Sequence, residues 1–173
     1  MPWLLWPLFV AALIGSLLAA AFAWAMQRGD AAGNGLGQLW FLATLATAWL
    51  LALLLLVAAA FAPVPVDVPE GLSGWLPASM GVAFAGATLA AQIAGLPAML
   101  GGRLAGRRAW WPPSLALAPV AVSVYAAWRG IGLPLPAPVA LWGCGGVVVG
   151  SAALALGAGV AHRRARARRR DRI

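Results

Sequence analysis

Side chains able to move a proton, attack a carbonyl or hold a metal are few and scattered. There is one histidine, His162, and one cysteine, Cys144. The carboxylates are Asp30, Asp67, Glu70 and Asp171. Acid–base catalysis and metal binding need such groups to converge. The spacing provides no HExxH pair, no CxxC, no paired carboxylates and no second histidine for bis-histidine haem ligation. The expected catalytic, cofactor and metal sets are empty, and the chain reads as a non-enzymatic protein. Cys144 stands among Gly143, Gly145 and Gly146, which marks it as a small apolar residue at a packed helix interface. His162 precedes an arginine run and is expected to cap the last helix at the membrane edge.

The neutral polar residues carry more information. Thr88 and Gln92 lie one helical turn apart, Ser123 and Tyr125 share a second segment, and Thr44 and Thr47 a third. A carboxamide in hydrocarbon needs hydrogen-bond partners, so Gln92 is expected to face the bundle interior. Two roles follow. Gln92 either makes an interhelical bond that fixes packing, or joins Thr88 and Tyr125 in a midplane pocket for a neutral ligand near Pro97 and Pro119. No Asp, Glu, Lys or Arg falls inside an apolar run, and ion-coupled transport ordinarily uses one.

Composition dictates the elements that must position these groups. Hydrophobic residues make up 63% of the 173 and charged residues 9%, against about 25% charged in a soluble domain. That is too little charge for a soluble surface and too much apolar material for disorder. The fold class expected is all-α, a polytopic membrane helix bundle. Five uncharged runs each supply one span of the ~20 residues that crossing requires. They are placed at about 3–26, 39–61, 75–100, 111–128 and 139–161, so residues 1–162 form the bundle and 163–173 a basic cytoplasmic tail. Trp3 and Trp6 at one end of the first span and Trp24 at the other suit the headgroup region. The fourth span is short and contains Pro119, which should kink it; four spans plus a re-entrant or broken segment is the alternative. The first span resembles a cleaved signal peptide at "AFA", but it lacks a positive leading region and reads as a permanent helix.

Arginine sets the expected orientation. All twelve basic residues are arginine, and arginine is retained on the cytoplasmic side. Arg103, Arg107 and Arg108 fall between spans three and four. Arg163, Arg164, Arg166, Arg168, Arg169 and Arg170 follow span five. Five crossings put both groups on one side and the acidic stretch with Asp67 and Glu70 on the other, giving N-terminus out and C-terminus in. These arginines are also expected to attract anionic lipid headgroups; following a span, they read as an orientation signal and not as a nucleic-acid arm. Absent lysine with abundant Ala, Gly, Pro and Arg fits a GC-rich genome and a bacterial inner membrane.

Small residues recur every four positions. Ala11, Gly15, Ala19 and Ala23 mark the first span, Gly86, Ala90 and Ala94 the third, and Gly146, Gly150, Ala153, Gly157 and Ala161 the fifth. Such stripes admit close helix approach, either within the bundle or against a partner membrane protein or second copy. The function expected is a small structural or accessory membrane subunit. The alternative is a small-solute transporter or substrate-binding subunit centred on Gln92.

Overall fold

The computed structural model describes residues 4–27, 35–61, 78–100 and 115–170. Trp3, Asp30, Asp67, Glu70, Arg103, Arg107, Arg108, Asp171 and Arg172 lie outside the described residues, as do 75–77 and 111–114 of the expected spans. The described residues are helical except Phe61, Ala116 and 132–136, and contain no strand. The helices are α1 (Leu5–Gln27), α2 (Gly35–Ala60), α3 (Ala78–Leu100), α4 (Leu117–Ile131) and α5 (Cys144–Arg170). A π-helical turn, Val139–Gly143, leads directly into α5. In hydrocarbon a backbone must pair internally, which favours these uninterrupted Ala- and Leu-rich helices.

Four of these segments are long and apolar enough to cross a membrane: Leu5–Ala25, Gln38–Ala60, Gly81–Ala98 and the helix Val139–Arg170. The chain is thus a multi-pass membrane protein by length and composition. The fourth expected span differs from its sequence reading. Its helix begins at Leu117 and ends at Ile131, 15 residues, or about 22 Å at 1.5 Å per residue. That is shorter than a ~30 Å hydrocarbon core. The helical path is interrupted at Ala116, just after Leu115. Pro119 accounts for this, because its ring crowds the carbonyl four residues back and it has no N–H to give. The helix closes on Gly132, whose φ of 72° and ψ of 45° are left-handed, the conformation glycine adopts at helix ends.

Close approaches establish how the helices run. Near one end, a methyl placed on Gly130 of α4 would meet Ala59 at the end of α2 and Leu5 at the start of α1. At this end Gly81, Tyr125 and Cys144 line one small cavity. Toward the other end, Phe22 stacks on Trp40 with centroids 6.2 Å apart, and Gly95 meets Ala155. Consecutive helices therefore alternate in direction, and α4 runs antiparallel to α3 and α5.

The packing inverts the pattern of a soluble protein. The interior is dominated by small side chains, including Ala12, Ala19, Ala23, Ala48, Ala52, Ala85, Ala126 and Ala127. Large apolar side chains such as Ile14, Leu17, Leu50, Leu54, Ile93, Val149 and Leu156 point outward. In water such a surface would be an aggregation site. In lipid no hydrophobic force drives helices together, so close backbone approach over small residues supplies the attraction. Trp6 and Trp142 toward one end, and Trp24 and Trp40 toward the other, are exposed, as suits indoles at two interfaces. Helix α4 is the most enclosed element: Ala118, Pro119, Ala121, Val122, Ser123, Ala126, Ala127, Trp128 and Gly130 are all buried.

Candidate functional site

Gln92 is 2% exposed and sits two turns before the end of α3. Its Oε1 accepts from the indole Nε1–H of Trp49 on α2 at 2.7 Å. Its Nε2 donates to the backbone carbonyl of Leu115 at 3.3 Å. That carbonyl is the one a continuing helix would pair with residue 119, which is proline. The carboxamide therefore fills a vacancy that Pro119 creates, and one side chain ties α2, α3 and the start of α4 together. A lost hydrogen bond of this kind exposes a buried carbonyl, and buried unpaired polar groups are costly.

Six serine and threonine hydroxyls are satisfied locally. Thr88 donates to its own helix at Phe84 O, 3.0 Å away. Ser16, Ser123, Thr44, Thr47 and Ser151 likewise donate to carbonyls three or four residues back. Tyr125 packs against Trp128, with centroids 6.0 Å apart, and lines a cavity of about 60 Å³ with Leu56, Gly81, Phe84, Leu141 and Cys144. Gln92 instead borders a separate lipid-side cleft of about 410 Å³ between α2 and α3, with Leu45, Trp49, Leu53, Leu89 and Ile93. Thr88, Gln92 and Tyr125 thus do not converge on one cavity. Cys144 is a free, half-buried thiol. His162 does not end its helix; α5 continues to Arg170, and the His162 Nε2 is buried without a hydrogen-bond partner. Among the described residues, no cluster of three His, Cys, Asp or Glu could hold a metal.

The small-residue stripes divide into two groups. On α1, Gly15, Ala19 and Ala23 are buried and Ala11 half-buried. A methyl on Gly15 would stand 3.5 Å from Ala48 of α2. On α5, Gly146, Gly150 and Gly157 are exposed, and a methyl on any of them would meet nothing within 4 Å. Gly86 on α3 is equally open. The contact between α3 and α5 uses a different stripe, Ser151, Ala155 and Gly159, all buried. A methyl on Gly95 would lie 2.8 Å from the Ala155 carbonyl oxygen, and one on Gly159 would lie 3.0 Å from the Ala94 carbonyl oxygen. Neither crossing leaves room for a side chain. Gly130 on α4 is as tight, 2.8 Å from the Ala59 methyl.

The basic segment is continuous with the membrane helix. Arg163, Arg164, Arg166, Arg168, Arg169 and Arg170 all belong to α5 and are exposed.

Sequence reasoning missed Trp49, Leu115, Gly95, Gly130 and Gly159. Signals existed for two of them: for Gly159, the residues Ser151, Ala155 and Gly159 also repeat every four positions. The GxxxG at Gly146–Gly150 drew attention to the opposite face. For Leu115 the clue was Pro119, four residues on. Comparison with protein-family models, curated proteins and solved structures found no match.

Proposed function

We propose that this protein is a non-enzymatic accessory subunit of a bacterial inner membrane that packs against another membrane protein through one face of α5. The observation that carries this reading is the contrast between its glycines. Gly95, Gly130 and Gly159 are consumed by internal crossings, whereas Gly146, Gly150 and Gly157 hold a close-approach surface open. Glycine weakens a helix by about 1 kcal/mol relative to alanine. Three on one outward face have a use if a second helix docks there.

The orientation belongs to the same proposal. Five crossings place the N-terminus outside and the C-terminus in the cytoplasm. The alternating helix directions support it, since the ends of α3 and α4 that flank Arg103, Arg107 and Arg108 lie at the end of the bundle where α5 carries its arginines. The short α4 crosses within a sheath of longer helices, so its ends need not reach lipid. A bacterial source rests on the all-arginine basic composition.

The test is purification in mild detergent with and without Gly146→Leu/Gly150→Leu. A co-purifying membrane protein, lost from the variant while the bundle stays folded, supports the reading. An unchanged complex sinks this interface.

A second reading, a small-solute carrier around Gln92, draws on the cleft of about 410 Å³ that Gln92 borders. Under it, Gln92→Ala reduces uptake of a neutral solute while assembly persists.

A further inference from the structure

Helix α5 does not stop where its apolar residues stop. From Val139 to Arg170 the helical path runs 32 residues, about 48 Å at 1.5 Å per residue. The hydrocarbon core takes ~30 Å, and the headgroup layers bring the total to ~40–45 Å. With the core boundary at Ala161–His162, Arg163, Arg164 and Arg166 rise about 1 to 6 Å above it, and Arg168 to Arg170 about 9 to 12 Å. The first group is level with lipid phosphates. The second stands beyond them.

The segment is too evenly charged to lie flat. An interfacial helix needs an apolar face, and between Arg163 and Arg170 the only uncharged residues are Ala165 and Ala167. The arginines are also poor neighbours for one another. Arg163/Arg166 and Arg166/Arg169 are three apart, and Arg164/Arg168 and Arg166/Arg170 are four apart, spacings at which like charges destabilise a helix. The helix C-terminus favours cations and offsets part of this repulsion. The remainder calls for an anion at the level of the first turn.

We propose that Arg163, Arg164 and Arg166 form a binding site for the phosphates of anionic phospholipids, and that this binding holds the arginine extension of α5 helical. Guanidinium groups engage phosphate oxygens in bidentate pairs. The lipid layer supplies those phosphates at the depth this turn occupies. The distal Arg168, Arg169 and Arg170 contribute a longer-range attraction that salt screens over about 8 Å. The proposal rests on the membrane reading of the chain and adds to it which arginines hold the phosphates and what that binding does to the helix.

The experiment uses the full chain in nanodiscs of phosphatidylcholine alone and of equimolar phosphatidylcholine and phosphatidylglycerol. Backbone hydrogen exchange of residues 163–170 is the readout. Phosphatidylglycerol is expected to slow exchange on the order of tenfold, the scale of one local opening equilibrium shifted by bound ligand. Arg163→Gln/Arg164→Gln/Arg166→Gln should abolish that slowing, and Arg168→Gln/Arg169→Gln/Arg170→Gln should retain most of it. Equal exchange in the two lipids overturns the proposal. So does a distal triple variant as deficient as the proximal one, or slowing that only added RNA produces. Alkaline carbonate extraction separates the underlying reading: release of the protein from membranes would remove the membrane assignment itself. Retention with an indifferent extension would remove only the lipid site.

Discussion

The Nε2 of Gln92 donates to the carbonyl of Leu115, which the proline at position 119 leaves without its helical partner. A proline on one helix and a carboxamide on another thus form a single structural unit, closed by Trp49.

The first prediction follows from that dependence. Gln92→Ala should lower the thermal stability of the detergent-solubilised protein by about 1–2 kcal/mol, the scale of strong interhelical hydrogen bonds in membranes. In a Pro119→Ala background the cost should be smaller, because alanine at that position brings an N–H that can serve Leu115. A double-mutant cycle measures the coupling. Costs that simply add would show that Pro119 and Gln92 are independent.

The glycines of α3 and α5 predict opposite responses according to face. Gly159→Leu and Gly95→Leu force side chains into backbone carbonyls at 3.0 and 2.8 Å. Overpacking of this kind costs about 1–3 kcal/mol or more, and both variants should unfold at lower temperature or fail to accumulate. Gly146→Leu and Gly150→Leu enter open space and should leave the isolated protein as stable as before or up to about 1 kcal/mol more stable, by the helix preference of leucine over glycine. Equal sensitivity at all four positions would contradict the assigned α3–α5 face.

Gly130 supplies a steric test with its own rescue. Gly130→Ala places a methyl 2.8 Å from that of Ala59 and should destabilise the meeting point of α1, α2 and α4 by about 1–3 kcal/mol. Ala59→Gly in the same chain removes the methyl contact but leaves the Ala59 Cα at 3.1 Å, and should recover part of the loss. Thermal unfolding of the single and double variants checks it, and the absence of rescue would mean the clash lies elsewhere.

Orientation yields a categorical outcome. Reporters fused after Arg107 and after the C-terminus should both report cytoplasm, and one inserted near Asp67 should report the opposite side. If the first two disagree, α4 fails to cross and the five-crossing topology falls.

The architecture was legible because its cause is bulk chemistry. Long uncharged runs leave a chain little choice but helices in lipid, and the ends of α1, α2, α3 and the apolar part of α5 fall within a few residues of the runs that specify them. The partner faces were harder to read. On α5, Gly146–Gly150 and Ala155–Gly159 share the same four-residue period and lie about 180° apart, nine residues at about 100° each. Periodicity marks a face as smooth but does not say which neighbour uses it. Gln92 was recognisable as inward-facing, because a carboxamide in hydrocarbon must be satisfied. Its partners were not, since Trp49 is 43 residues away and Leu115 is 23 away, and one of the two contributes only backbone. The extent of α5 was hidden by the arginines, which end the apolar run without ending the helix.

The crossing of α3 and α5 at Gly95 and Gly159 has a consequence for how this sequence can change over generations. Two backbones in direct contact admit no compensating mutation: no neighbouring side chain can shrink to make room, because none lies between them. In a saturation library selected for accumulation in the membrane, positions 95 and 159 should therefore tolerate almost nothing but glycine. Gly146, Gly150 and Gly157 should drift freely in that same selection, and become restricted only when the selected trait is whatever the outer face of α5 touches.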